Sequence, residues 1–314
     1  MGSDIARLHH VGHVVGDLPS ALERYRRLGF VVAPPSYPAM ARGEDGEPEP
    51  FGAANTHADF ADGFLELATP VREGDALPPD ANVFALTAPP EVLPLLVERI
   101  ATTSANLAAC LDRFEGLHIL MFSSPDIDAV ATRLTASEVG HGGVNTVRRP
   151  VETEAGTVAE TVRYLEIDGV GMRHGSVEEG RVGVVADLDG EIQGARSSEH
   201  PNGAIALVEA VLCVADDELT TVVARYERYF GLLVRSDGPA WAFDLEAGRL
   251  TLVPASRLEE LLPAMVACAV GVRDVFATEE FLRGKGFSLG RTADGAPFVP
   301  SAEALGAAIV FRSV

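Results

Sequence analysis

The chain has 314 residues, 47% hydrophobic and 23% charged, a composition that suits a soluble globular protein with room for two cores and excludes a disordered chain. Its formal net charge of −21 repels phosphate backbones and removes nucleic acid from the expected partners. No apolar run reaches the roughly 18 residues of a bilayer span, and residues 1–7 lack the apolar stretch of a signal peptide, so the expected setting is the cytoplasm with no membrane partner.

Residues 8–15 are short, apolar and β-branched and are predicted as a strand. Asp17 is placed to cap a helix with Pro19 near its start. Leu18, Ala21, Leu22, Tyr25 and Leu28 follow at helical spacing, and Gly29 closes the helix. Residues 30–32 begin a second strand, residues 34–50 a Pro- and Glu-rich loop, and residues 53–61 a third strand. Asp62-Gly63 then reads as a hairpin turn into a fourth strand over 64–68. The order is βαβββ. A helical pattern within 89–113 joins this unit to the next.

The same order returns three times. In the second copy residues 117–124 are a strand, Asp126 a cap, and Ile127, Val130 and Leu134 a helix stripe. Residues 162–167, the turn Asp168-Gly169 and residues 170–177 follow as a hairpin. Residues 180–202 are polar and Gly-rich and separate an N-terminal half, 1–190, from a C-terminal half, 200–314. The third copy starts with the strand 208–214, and its helix carries residues 225–232. The fourth has a strand over 266–272, the cap Asp274, a helix through 279–287 and a last strand over 307–312. Cys110, Cys213 and Cys268 are too far apart in sequence to suggest a disulfide framework or a thiolate zinc site.

A strand carrying Leu8, His10, Val11 and Gly12, then Asp17-Leu18, a helix, Leu28-Gly29-Phe30, and later Gly63 with Leu65-Glu66-Leu67 is similar to the glyoxalase and extradiol dioxygenase group, the vicinal oxygen chelate superfamily. The resemblance is strongest over 8–71, looser over 116–178, and faint but repeated over 206–314. It implies an α+β fold of four βαβββ modules whose sheets pair and curl into two cups. It also implies a divalent metal held by the first and fourth strands of the N-terminal pair. On that basis the expected ligands are His10, Glu66, His118 and His174. Glu66 is the best of them, because a carboxylate between two leucines on a buried strand is costly unless it is paired or bound to metal. His118 lies eight residues before Asp126 where His10 lies seven before Asp17, and a gapless alignment would put Ile119 in its place. The pairs His10/Glu66 and His118/His174 are both 56 residues apart. Glu166 is the rival for the fourth place, or a general base, with Tyr164 beside it as a hydroxyl donor.

Imidazole and carboxylate suit Zn²⁺ first, with Fe²⁺, Mn²⁺, Co²⁺ and Ni²⁺ open. Strand alternation turns His9 and His13 away from the cup, leaves Asn55 and His57 able to line it, and puts His141 in a loop. Glu209, Thr251 and Ala267 stand at the equivalent places of the C-terminal pair, which is expected to be structural. The resemblance implies a metal-dependent epimerase or isomerase that moves a proton next to a ketone of a hydroxylated small molecule. The layout is similar to that of cyclitol epimerases acting on 2-epi-5-epi-valiolone. A glyoxalase-type lyase, an Fe(II) ring-cleaving dioxygenase and a non-catalytic antibiotic-binding protein are the alternatives, and the paired cups suit a homodimer.

Overall fold

The computed structural model describes residues 4–41, 48–86, 91–153, 156–188, 190–257 and 264–314. Unit one runs β1 (Arg7–Val14), α1 (Leu18–Arg27), β2 (Ser36–Ala41), β3 (Pro48–Pro50), β4 (Ala53–Phe60) and β5 (Gly63–Pro70). A short β6 (Asn82–Ala85) joins β2, and α2 (Leu93–Leu111) leads to unit two. That unit is β7 (Gly116–Ser124), α3 (Ile127–Ala136), β8 (Gly140–His141), β9 (Asn145–Thr153), β10 (Gly156–Asp168) and β11 (Arg181–Ala186), followed by α4 (Gly190–Arg196). Unit three is β12 (Ala204–Val214), α5 (Leu219–Phe230), β13 (Arg235–Asp237), β14 (Ala240–Asp244) and β15 (Arg249–Pro254). Unit four is β16 (Ala264–Val272), α6 (Val275–Gly284), β17 (Gly290–Arg291), β18 (Pro297–Val299) and β19 (Ala308–Ser313). No described helix is long and apolar enough to cross a membrane.

The repetition rests on local chemistry that recurs. Asp17, Asp126 and Asp274 each accept a backbone N–H of the first helical turn, from Ser20, Ala129 and Phe276 with Ala277 respectively. Each helix then buries one stripe against the sheet, as α1 does with Leu18, Ala21, Leu22 and Tyr25. In every unit the first strand lies parallel to the last: β1 with β5, β7 with β11, β12 with β15 and β16 with β19. The first strands of neighbouring units pair antiparallel, β1 with β7 and β12 with β16. Two curled sheets result, bridged at Leu117↔Met265 and Arg7↔Ala247. One apolar core runs through both, and it fully buries Tyr25, Phe122, Phe230 and Phe311.

Three expected elements move. Residues 30–32 are not a strand: Pro34 and Pro35 interrupt the ladder, which starts at Ser36. The loop expected over 34–50 holds β2 and β3, and residues 42–47 lie outside the described residues. The last strand of unit two is β11, not 170–177. Asp168-Gly169 does not make a two-residue hairpin, because the Asp168 carboxylate accepts the Gly175 N–H at 2.7 Å and holds a longer turn-rich excursion. The stretch read as a polar separator from residue 180 therefore supplies both β11 and α4.

Two glycines fix the register between units one and two. A Cβ on Gly63 would lie 2.1 Å from the His9 carbonyl oxygen, and one on Gly180 would lie 2.2 Å from that of His118. Gly63 and Gly180 are thus the same position in the two copies, as are Glu66 and Gly183, and His10 and Ile119. Gly180→Ala is expected to cost about 1–3 kcal/mol by overpacking against a backbone that cannot yield. Gly194→Ala, with open space around the new methyl in α4, is expected to be neutral or slightly stabilising. Denaturant unfolding of the two variants checks this, and equal midpoints would refute the close strand approach.

Candidate active site in the N-terminal cup

The site begins with a bulge in β1. Pairing with β7 jumps from Leu8↔Phe122 to His10↔Met121, leaving His9 without a place in the ladder. The bulge brings the His9 and His10 rings together, with their Nδ1 atoms 2.7 Å apart. The expectation that alternation turns His9 away is therefore corrected. His10 stacks on Phe64 with ring centroids 4.2 Å apart, and its Nε2 lies 3.7 Å from Glu66 Oε2. On β5, Leu65 and Leu67 are fully buried in the core, while Glu66, 8% exposed, faces the cup. Asn55 of β4 donates to Glu66 Oε1 at 2.9 Å. Gly12 makes room: a Cβ there would sit 3.0 Å from Glu66 Oε2 and 2.9 Å from Ile119 Cβ. Asn55 thus lines the cup, and His57 packs its ring on Phe64.

Unit two does not return the same donors. Ile119 occupies the place of His10 and Gly183 the place of Glu66. A Cβ on Gly183 would lie 2.5 Å from the Leu165 carbonyl oxygen and 2.9 Å from Met121 Cε, so backbone and a thioether already fill the space a ligand side chain would need. Ile119 and Met121 join Leu107 and Cys110 of α2 in an apolar cluster.

His118 is one residue out of register and so sits on the opposite face. It is fully buried, and its Nε2 donates to the Phe114 carbonyl at 2.9 Å. Burial holds its pKa below the ordinary value. His174 lies in the excursion after β10, where its half-exposed ring pairs with Asp168 at 2.8 Å.

The structure thus brings His10 and Glu66 together and leaves His118 and His174 elsewhere. Among the described residues no three His, Cys, Asp or Glu side chains gather into a metal-binding group. Protein sites for zinc and its relatives use three or four such donors. Of the four expected ligands only two stand together, one of them already hydrogen-bonded to Asn55, so the expectation of a Zn²⁺-type centre built on His10, Glu66, His118 and His174 is corrected on that ground.

The cation that the cup does contain is Arg181, which the sequence reading missed. It stands two residues before Gly183 on β11 and therefore shares its face. Its Nε donates to Glu166 Oε1 at 3.0 Å, and Nη2 completes an ion pair with the same oxygen. Arg181 and Glu66 line one cavity of about 360 Å³, walled otherwise largely by apolar groups including Phe84, Ile100 and Leu107. Glu166 and Tyr164 line a second cavity, of about 300 Å³, together with His174. Burial, and then the negative charge of Glu166, raise the Tyr164 pKa, so its phenol stays protonated. Aligning Gly63-Phe64-Leu65-Glu66 with Gly180-Arg181-Val182-Gly183 would have exposed Arg181 from sequence.

At the equivalent place in the C-terminal cup, Thr251 donates to Glu209 at 2.6 Å and Arg312 lies 3.3 Å from the same carboxylate. Ala267, Ala269 and Val310 fill the space beside them.

The glyoxalase-like domain family matches residues 8–230, most of the chain. The chain belongs to this family. It is thereby a member of the vicinal oxygen chelate superfamily, as the strand motifs implied. No curated protein matches this glyoxalase-like chain. Among solved structures it is similar to a hypothetical protein from Staphylococcus aureus at 10% identity and TM-score 0.58, covering 99% of this chain and 100% of that one. It is also similar to a triple mutant of 4-hydroxymandelate synthase from Streptomyces coelicolor at 14% identity and TM-score 0.55, covering 98% and 92%. A catechol 2,3-dioxygenase matches at 9% identity and TM-score 0.54, covering 99% and 89%. At such identities the likeness establishes the fold.

His13 keeps the helix-facing parity expected of it. Its Nδ1 is 2.7 Å from the Tyr25 hydroxyl, and burial, with the nearby His118, lowers its pKa from 6.5 to about 3. His141, expected in a loop, instead lies in β8 opposite Ile167 of β10, and its ring bonds to Thr135 and to the Gly143 N–H. In the unfolded glyoxalase-like chain His13 takes a proton below its ordinary pKa, whereas in the folded chain it stays neutral until about pH 3. Its contribution to stability is therefore whole above pH 6.5 and is lost as the pH falls toward 3. The expected slope is up to about 1.4 kcal/mol per pH unit for this residue. Denaturant unfolding from pH 7 to pH 5 should show a shallower fall in His13→Phe than in the native sequence, and parallel curves would contradict the assignment.

Proposed function

We propose that this protein is an isomerase that moves a proton on the carbon beside a ketone of a small molecule, with Glu66 as the base. The observation that carries the reading is the shared cavity, in which one carboxylate and one guanidinium meet inside apolar walls. Asn55 fixes one oxygen of Glu66 and sets the plane of the carboxylate. A base enclosed by apolar groups is weakly solvated and is therefore the stronger acceptor of a C–H proton. As that proton leaves, negative charge gathers on the ketone oxygen, and the fixed positive charge of Arg181 stabilises it in a medium where water screens little. A single carboxylate suits a shift between neighbouring carbons of an α-hydroxyketone: Glu66 returns the proton to the former carbonyl carbon on the same face, and the hydroxyl proton passes to the enolate oxygen as the new carbonyl forms. Inversion at one carbon needs a second acid on the other face, and Glu166 is engaged by Arg181 while the Tyr164 phenol is held protonated by burial. The geometry thus favours isomerisation over epimerisation, and the apolar walls favour a substrate with an apolar body over a cyclitol.

A glyoxalase-type lyase and an iron ring-cleaving dioxygenase would both rest on donors that unit two replaces with Ile119 and Gly183, so the residues support neither. Simple binding without turnover is the second reading, favoured by the apolar wall of Phe84, Leu86, Ile100 and Leu107.

The test is solvent exchange. In D₂O the protein should catalyse deuterium incorporation next to the carbonyl in a panel of aryl α-hydroxyketones, followed by proton NMR. Glu66→Gln should slow exchange at least about 100-fold. The pair Arg181→Gln with Glu166→Gln, which avoids stranding a buried carboxylate, should slow it by a factor on the order of 100–1,000. Binding without exchange would establish the second reading, and equal rates for wild type and Glu66→Gln would remove Glu66 from the chemistry.

A further inference from the structure

We infer that the site takes a two-part ligand, with an apolar arm in the Glu66 chamber and a hydroxylated arm in the second chamber across α2. The inference deepens the proton-transfer reading by naming the substrate class, and it shares with that reading only the Glu66 chamber.

α2 belongs to none of the four repeats, and it divides the concave face. Ile100, Thr103 and Leu107 follow one helical ridge and line the first chamber. Leu95, Arg99, Thr102 and Asn106 follow the adjacent ridge and line the second. Thr103 lines both. Below the helix the same division is made by one ion pair, with Arg181 on the wall of the first chamber and its partner Glu166 on the wall of the second. The two spaces therefore meet across one small side chain and one pair of opposite charges.

Their chemistry differs. Around Glu66 and Asn55 the first chamber is dominated by Phe84, Leu86, Ile100 and Leu107. The second presents donors from Arg99, Asn145 and Tyr164 and acceptors from Glu98, Thr102 and Glu166. Alternating donors and acceptors on a concave wall match a molecule with several hydroxyls, each able to give and take a hydrogen bond. At about 360 and 300 Å³ each chamber alone is at the small end of ligand sites, whereas joined they hold an amphiphile of glycoside size. A ketone carbon between the two arms would lie at the partition, beside Arg181. The substrate class is thus a ketone with an aryl or branched alkyl group on one side and a polyol on the other.

The test reads binding rather than turnover. Fluorescence polarisation and calorimetry of the full chain compare 2-naphthol, methyl hexosides, and conjugates of 2-naphthol with glycerol and with several hexoses. At least one conjugate should bind about 100-fold more tightly than 2-naphthol, because its second arm binds from an already tethered position. Thr102→Val with Tyr164→Phe should remove most of that gain while leaving 2-naphthol affinity unchanged, which also shows that the variant is folded. If no conjugate binds more tightly than 2-naphthol, or if the double variant weakens both alike, the two-chamber assignment is wrong. Tight conjugates, with no deuterium exchange in any of the aryl α-hydroxyketones, would overturn the proton-transfer reading and keep this one. Exchange without any gain from the second arm would do the reverse.

Discussion

A carboxylate among leucines has to be met by donors or positive charge, and in this protein the N-terminal cup is arranged around that requirement at Glu66. Alternation along β5 sends Leu65 and Leu67 into the core and Glu66 into the cup. Asn55 supplies the hydrogen bond, His10 the adjacent imidazole, and Arg181 the charge across the cavity. Gly12 provides the space for the carboxylate, since any side chain there would press on both Glu66 and Ile119. Desolvation makes the arrangement expensive to form and correspondingly potent once formed, because the same low dielectric strengthens each remaining interaction.

The pairing of β1 with β7 relates two copies of one motif, and function follows from where the copies differ. Unit one retains His10 and Glu66. Unit two has Ile119 and Gly183 at those places, with Met121 and the Leu165 carbonyl closing the gap. Arg181 then enters from the same strand, anchored by Glu166. The C-terminal pair went a different way, neutralising Glu209 internally through Thr251 and Arg312. One scaffold therefore carries a cup with a cavity at its charged residues and a cup whose charged residues satisfy each other.

Much of this was legible in the sequence where the cause is local. The aspartate caps, the helix stripes, the Gly29 stop and the burial of Glu66 between leucines are each set by a few neighbouring residues. The errors came from longer-range causes. A β-bulge at His9 cannot be seen in an alternating pattern, so His9 was turned the wrong way. Asp168-Gly169 has the composition of a tight hairpin, but its aspartate caps Gly175 instead and delays the last strand to residue 181. That delay put His174 in the second chamber, away from Glu66, and left Arg181 hidden in a stretch that resembled a linker. The matching spacing of His118 and His174 to that of His10 and Glu66 was a coincidence of numbers, because His118 faces the other layer and bonds to Phe114.

The central claim is that a guanidinium, not a divalent ion, is the positive charge of this cup. Its most direct test is the metal content of the purified chain after reconstitution in turn with zinc, manganese, iron, cobalt and nickel and removal of the excess. The account expects far less than one ion per chain in every case and no change on Glu66→Ala. One tightly held ion per chain that disappears with Glu66→Ala would contradict it.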